Sequence, residues 1–208
     1  MKTSQQTLRK KERADIIELY YDFQKAYNNV NRDYLVELMD VYGFPIGVQS
    51  LINEMSVLWK ISLSYGAKKH VGVVQLTNGI IQGDAFSPLL FVLTIDPLIK
   101  ILKGQLGDNA QILYFMEDLK ASTTSIQTAQ KVHQIVKEYA TAVGMVINSK
   151  KCAIQLDVGT PLPESLQDIP RLDGMRHKYL GFEMIKGEVA RKEMMEKLEA
   201  RVSEKLLE

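Results

Sequence analysis

Cysteine is almost absent: Cys152 stands alone in 208 residues. An intramolecular disulfide is excluded, and a reducing, intracellular compartment is expected. Long apolar runs are absent too. The longest, Leu89–Ile95, contains Thr94 and falls far short of the ~20 residues of a membrane span. The opening stretch MKTSQQTLRKKERAD has no apolar centre, so it does not read as a signal peptide. Charge of one sign is lacking, with 26 basic against 25 acidic residues and a net charge of +1. That excludes a polycation but leaves room for a local basic stripe able to hold nucleic acid. His70, His133 and His177 are too scattered for metal-ligand spacing, and Cys152 has no partner to complete such a set. A GxxxxGK[ST] phosphate loop is missing, which disfavours a P-loop ATPase, and so is a nucleophilic serine elbow. There is no repeat and no low-complexity tract.

What is present is a hydrophobic content of 46% with 25% charged residues, ordinary for a domain that buries a core. Residues 1–15 form a polar, basic tail. The β-branched and aromatic run from Ile16 to Phe23 predicts a buried strand ending near Asp22. Asn31 is placed to cap a helix that carries Tyr34, Leu35, Leu38, Met39 and Tyr42 on one face and stops at Gly43. A second helix is expected over roughly 46–59, with Val48, Leu51, Ile52, Met55 and Leu58 on its apolar face. Two alternating runs around Gly66–Lys69 predict a β-hairpin. Ser87-Pro88 reads as N-cap and first helical residue of a helix apolar all round, with Asp96-Pro97 a kink or a second start.

Further along, a strand over Gln111–Met116 is expected to turn at Glu117-Asp118 and return from Leu119. A helix follows over roughly 124–142. Short strands are expected in MVIN and CAIQL, then a proline-rich loop, a strand over Lys178–Ile185, and a charged helix from Gly187 onward. This order predicts an α+β fold with helices packed on an antiparallel sheet.

The chemistry concentrates at strand ends. Asp22 closes one apolar strand, and Glu117 and Asp118 follow another. If the two ends lie side by side, three acids converge and repel one another. A hard divalent cation relieves that repulsion while keeping positions open for phosphate oxygens, and two such ions support in-line phosphoryl transfer.

Four further stretches accompany the acids: DFQKAYNNV with Tyr27, NGIIQGDAFSPLLF with Gly79, Gln82, Gly83, Ser87 and Pro88, GMVINSKKC with Asn148 and Lys151, and KYLGF with Tyr179, Leu180 and Gly181. In this order and spacing, over roughly residues 16–186, they resemble the palm of a reverse transcriptase, of the retroelement type without long terminal repeats.

The resemblance implies a polymerase palm-like antiparallel sheet packed by helices, with fingers and thumb largely missing. Residues 16–186 would be the palm-like domain and 187–208 a helix that could begin a thumb. By resemblance, Asp22, Glu117 and Asp118 hold Mg²⁺ (or Mn²⁺), and Lys151 protonates the departing pyrophosphate. Tyr27 is similar to the aromatic steric gate that favours deoxynucleotides. Gly79, Gln82 and Gly83 flank the nascent base pair, and Tyr179, Leu180 and Gly181 form a primer grip. The implied partners are an RNA template, a DNA primer and deoxynucleoside triphosphates, with no membrane, and with fingers and thumb supplied by a longer chain or another subunit.

Two residues depart from the pattern. Glu117 stands where the family expects aspartate, and Asn28 where many relatives carry aspartate. One added methylene moves a carboxylate by about 1.5 Å, against a catalytic tolerance of about 0.5 Å, and a 1 Å misplacement can cost about a hundredfold in rate. A catalytically dead palm retained for nucleic-acid or protein binding is therefore the alternative. An unrelated α+β domain with chance matches is a third.

Overall fold

The computed structural model describes residues 16–65, 69–157, 159–173, 175–180, 182–185 and 188–189. These fall into two compact units, one drawn from Met1–Asp22, Gln105–Gln134 and Asn148–Glu208, the other from Phe23–Gly104 and Ile135–Ile147.

The first unit is built on a four-stranded antiparallel sheet of β1 (Ile17–Tyr21), β4 (Ala110–Phe115), β5 (Asp118–Thr123) and β6 (Ala153–Gln155), in the order β4-β5-β1-β6. Every residue of β1 is buried, as expected of a strand paired on both edges. Alternation sends Ile17, Leu19 and Tyr21 to one face and Glu18, Tyr20 and Asp22 to the other. On the apolar face Leu19 pairs with Ala121 and Tyr21 with Leu119. There the Tyr21 ring stacks on His133 of the helix α4 (Ile126–Val143), centroids 5.9 Å apart. The Tyr21 hydroxyl lies 3.1 Å from His133 Nδ1.

The hairpin between β4 and β5 corrects one expectation. Phe115 pairs with Asp118, so the turn is Met116–Glu117, and Asp118 is the first residue of the returning strand. A two-residue hairpin loop matches strand twist when a central residue takes positive φ, and Met116 does so at 51°. The expected single strand over Lys178–Ile185 is instead a hairpin of β7 (His177–Tyr179) and β8 (Phe182–Ile185), extended by β9 (Glu188–Val189). Leu180, in the turn, has φ 49°. The helix expected from Gly187 onward lies outside the described residues, except that Glu188–Val189 is strand. MVIN makes only a bridge between Phe23 and Ile147.

The second unit carries α1 (Arg32–Val41), α2 (Ile46–Leu58), the hairpin β2 (Lys60–Tyr65) and β3 (Lys69–Gln75), most of α3 (Ser87–Leu106), and the end of α4. Asn31 caps α1, its side chain accepting from the N–H groups of Asp33 and Tyr34. Helix α3 runs unbroken through Pro97. An interior proline costs about 3 kcal/mol. Burial of Phe91, Ile95, Leu98 and Leu102 on either side of it, at about 1.5–3 kcal/mol each, outweighs that. Burial of α3 is not complete all round, since Leu89 is 53% exposed.

Ser87 is the first helical residue rather than the cap. The Phe86 carbonyl accepts from Leu90 N–H, and Asp84 Oδ1 accepts from Phe86 N–H. The face of α2 expected to be buried is largely open, with Leu51 at 53% and Leu58 at 70% exposure, and β2 is exposed throughout.

On the polar face of the first sheet, Lys120 Nζ lies 3.0 Å from Glu18 Oε1, with the two side chains 3% and 2% exposed. Removing one member of such a pair strands the other charge and costs about 3–5 kcal/mol, whereas replacing both by apolar groups is often neutral or better. Urea unfolding of Lys120→Met should therefore show a loss of about 3–5 kcal/mol, and Glu18→Leu/Lys120→Met should recover most of it. Equal losses in both would mean that the apolar replacement cannot pack.

Candidate active site

The polar face of the sheet in the first unit brings Asp22 and Asp118 to neighbouring strand ends. Tyr21 pairs with Leu119, so Asp22, one residue beyond Tyr21, and Asp118, one before Leu119, sit at the same end of the ladder. Both open onto a cleft of about 580 Å³, whose wall also includes Lys150, Lys151, Lys178 and Tyr179. Glu117 belongs to the turn and is not part of that wall. Among the described residues no group of three or more His, Cys, Asp or Glu side chains is arranged to hold a metal ion. Two carboxylates, rather than the expected three, face the cleft.

Asp22 is held from the loop after α4. Asn148 Nδ2 donates to Asp22 Oδ1 at 3.0 Å, and Lys151 Nζ donates to Oδ2 at 3.3 Å. The backbone fixes the same approach, with Asn148 N–H donating to the Asp22 carbonyl at 2.8 Å. Cys152 packs behind, its thiol 3.8 Å from that carbonyl and pushed up to about 11, chiefly by burial. It stays protonated at neutral pH and is not a thiolate nucleophile.

Burial raises the Asp118 carboxyl above its ordinary range. The charges of Glu117 and Asp22 raise it further, and Lys151 opposes them. Acids that disturb one another in this way attract a cation.

Tyr179 and His177 belong to the same cleft wall. The Tyr179 phenol is pushed up to about 12, first by burial and then by Asp118. His177 is lowered by burial and by Lys120, so it is neutral at pH 7. Leu180 also lines the cleft, while Gly181 lies outside the described residues.

The second unit brings Tyr27 and Gly79 together. Ile80 N–H donates to the Tyr27 carbonyl at 2.9 Å and Gly79 N–H to that of Val30 at 3.1 Å. Gly79 has φ 76°, and a Cβ there would lie 2.5 Å from the Asn28 carbonyl oxygen, so glycine alone fits. Arg32 clamps the loop, with Nε donating to the Gly79 carbonyl at 2.8 Å and its guanidinium 5.1 Å from the Trp59 ring centroid. The Tyr27 ring stacks on Phe91, centroids 4.9 Å apart. Gln82 and Gly83 lie exposed on the turn leading to α3. Gly83 has φ 94° with open space around its Cβ position, so its need for glycine is conformational.

Sequence reading passed over Glu18, Tyr20 and Lys120, which share the face of Asp22 and Asp118. The signal was available: in ELYYD and DLK, residues two apart from each acid fall on its side of the strand.

Because the folded state raises Asp118, its ionised form opposes folding. The stability it contributes is full below the ordinary carboxylate value and is lost as pH rises through the raised folded value. Urea midpoints from pH 3.5 to 7 should therefore fall less steeply for Asp118→Asn than for the parent chain, with the variant the more stable at pH 7. A parallel pair of curves would remove Asp118 from the electrostatics of the site.

A family model described as reverse transcriptase (RNA-dependent DNA polymerase) matches residues 2–184. A reverse transcriptase-like protein of Chlamydomonas reinhardtii is 30% identical over 99 residues, covering 46% of this chain and 23% of that protein. The retrovirus-related Pol polyprotein from type-2 retrotransposable element R2DM of Drosophila melanogaster is 25% identical over 136 residues, 63% of this chain and 13% of that protein. The chain thus spans less than a quarter of either relative's length. Among solved structures, telomerase of Candida tropicalis in complex with a TWJ fragment of telomeric RNA has a TM-score of 0.64 at 11% identity, over 88% of this chain and 30% of that one. Apo telomerase of the same species, truncated from its C-terminal domain, gives 0.66 at 11% identity over 87% and 36%. At that identity the likeness is one of fold, an α+β palm-like architecture. With nearly its whole length matched by the family model and its acids at adjacent strand ends of such a sheet, the chain belongs to the reverse transcriptase (RNA-dependent DNA polymerase) family.

Proposed function

We propose that this chain carries the palm of an RNA-directed DNA polymerase from a retroelement without long terminal repeats. It would extend a DNA primer on an RNA template by attack of the primer 3′-hydroxyl on a deoxynucleoside triphosphate. The observation that carries this reading is the placement of Asp22 and Asp118 at one end of the β1–β5 ladder, just beyond the Tyr21–Leu119 pair, facing a cleft walled by Lys150, Lys151 and Lys178. Acids at the floor and ammonium groups around them suit a substrate whose phosphates need both a divalent cation and direct basic contacts. In this reading residues 16–186 are the palm-like domain. Among the described residues no helix is long and apolar enough to cross a membrane.

Mg²⁺ fits this donor set, because it is commonly bound by one or two carboxylates together with substrate phosphates rather than by an all-protein cage. Asp22 and Asp118 would hold it, with Glu117 adjacent in the turn. When bound there, such an ion would supply activation of the attacking oxygen and charge stabilisation on the leaving one. The protein's own groups do the remainder. Asn148 orients the Asp22 carboxylate. Lys151, 67% exposed, is free to swing from Asp22 to a phosphate and to give a proton to departing pyrophosphate. By the family resemblance, Tyr27, braced on Phe91, would serve as the gate against a ribose 2′-hydroxyl, and Gln82 and Gly83 would belong to the motif beside the new base pair. Tyr179, Leu180 and Gly181 receive the primer end.

One observation favours the second reading, a palm without catalysis kept for nucleic-acid binding. Both Asp22 oxygens already have partners in Asn148 and Lys151, and the aspartate expected beside Asp118 is Glu117.

Manganese relaxation and primer extension separate the two. Asp22→Asn should abolish extension and weaken Mn²⁺ binding at least ~10-fold, about 1.4 kcal/mol, while Asp33→Asn on α1 leaves both unchanged. Mn²⁺ binding by the parent chain without extension in any assembly that supplies fingers and thumb would select the non-catalytic palm. Equal Mn²⁺ binding in both variants would remove the metal from the site.

Sugar choice tests Tyr27 independently. In an extending assembly, Tyr27→Val should raise ribonucleotide relative to deoxynucleotide incorporation at least ~10-fold, about 1.4 kcal/mol of differential barrier. An unchanged ratio would leave Tyr27 as a packing partner of Phe91 alone.

A further inference from the structure

The polar face of the sheet holds more than its two acids. Two residues before Asp22 on β1 is Tyr20, and two before that is Glu18. Two residues after Asp118 on β5 is Lys120, directly opposite Tyr20 in the ladder. Lys120 Nζ lies 3.0 Å from Glu18 Oε1, and the Tyr20 hydroxyl donates to Glu18 Oε2 at 2.7 Å. The same ammonium stands 5.0 Å from the centroid of the Tyr20 ring and 5.9 Å from that of Tyr179. Above this cluster lies the β7–β8 hairpin: the His177 ring is 4.6 Å and the Tyr179 ring 5.4 Å from that of Tyr20, centroid to centroid.

Stability alone does not call for such a group, because a buried ion pair is weak evidence for stability and apolar residues of similar volume serve as well. An apolar pair lacks direction, however. Here each carboxylate oxygen of Glu18 has its own donor, so both the Tyr20 ring and the Lys120 ammonium are fixed in place. The ring plane of Tyr20 then becomes a platform, and the ammonium attracts the faces of two tyrosines at once. His177 and Tyr179 rest on that platform, and both line the cleft together with Asp22 and Asp118. The height of the hairpin over the acids is therefore set from below.

We propose that Glu18, Tyr20 and Lys120 are a positioning set that holds the β7–β8 hairpin, and with it Tyr179, at the height over Asp22 and Asp118 where a recessed primer 3′ end is received. The part concerning the primer end rests on the polymerase reading above; the part concerning the hairpin does not.

The test uses the full chain and two variants, Glu18→Leu/Lys120→Met and the milder Tyr20→Phe, which removes one hydroxyl and keeps the ring. Amide hydrogen exchange is followed by mass spectrometry, and anisotropy compares a primer–template having a recessed 3′ end with a blunt duplex of equal length and salt. Exchange in β7–β8 should quicken at least ~10-fold in the double variant and ~3-fold in Tyr20→Phe, while β1 and β5 keep their parental rates. The preference for the recessed end should fall to within ~2-fold of none in the double variant, with blunt-duplex affinity unchanged. Uniform acceleration across the sheet and the hairpin, or no acceleration in either variant, would overturn the positioning set. If the double variant does not fold, Tyr20→Phe decides by the same criterion. A parent chain that does not prefer the recessed end would refute the primer-end part and count against the polymerase reading, while hairpin exchange still decides the positioning claim.

Discussion

The register between β1 and β5 is the constraint on which the candidate site depends. With Tyr20 set against Lys120 and Tyr21 against Leu119, Asp22 and Asp118 come to the same end and the same face of the sheet. A slip of one residue would send either acid to the apolar side. That slip is blocked by the opposite face, where Leu19, Ala121 and Leu119 are all but fully buried and Tyr21 stacks on His133. Apolar packing on one side thus enforces acid placement on the other.

The same register explains the electrostatics. Burial raises Asp118, the acids brought to neighbouring strand ends raise it further, and the protein answers with cations from two directions. Lys151 approaches Asp22 from the loop at 3.3 Å and is largely in solvent, where a single ion pair contributes little to stability. Lys120 is buried and committed to Glu18. The exposed cation can change partners, whereas the buried one cannot.

The second unit achieves its order by different means. Around Tyr27 and Gly79 the organising contacts are backbone hydrogen bonds, the Arg32 clamp, and a glycine pressed against the Asn28 backbone. Close backbone approach leaves no room for a side chain. The glycine of NGIIQG is therefore set by packing as well as by its positive φ.

Most of the elements were legible from local pattern. Asn31 as a cap, the β2–β3 hairpin, the strand before Asp22 and the amphipathic α4 follow from spacing that acts over a few residues. Two errors are turn placements, and two fall where distant partners decide. The turn moved to Met116–Glu117 because Asp118 pairs with Phe115, and Lys178–Ile185 folded back on itself at Leu180. Pro97 sits inside α3 because buried neighbours on both sides outweigh its missing hydrogen bond. The apolar face of α2 is largely open because periodicity states which residues can pack, not what they pack against.

The sequence by itself determined the family, through acids at two strand ends, a glycine-glutamine-glycine stretch before a helix, and a lysine after Asn148, in a characteristic order. It also determined the face of each strand on which those groups fall, since alternation is a property of the strand alone. Only the tertiary structure decided which faces meet. Tyr20 and Lys120 are 100 residues apart in the chain yet directly opposed in the sheet, and Glu18 and Lys120 become partners only through that pairing. Short-range propensities carry no information across such a separation. The pairing is selected by the burial of the whole apolar face at once, a cooperative choice that no local window of residues contains.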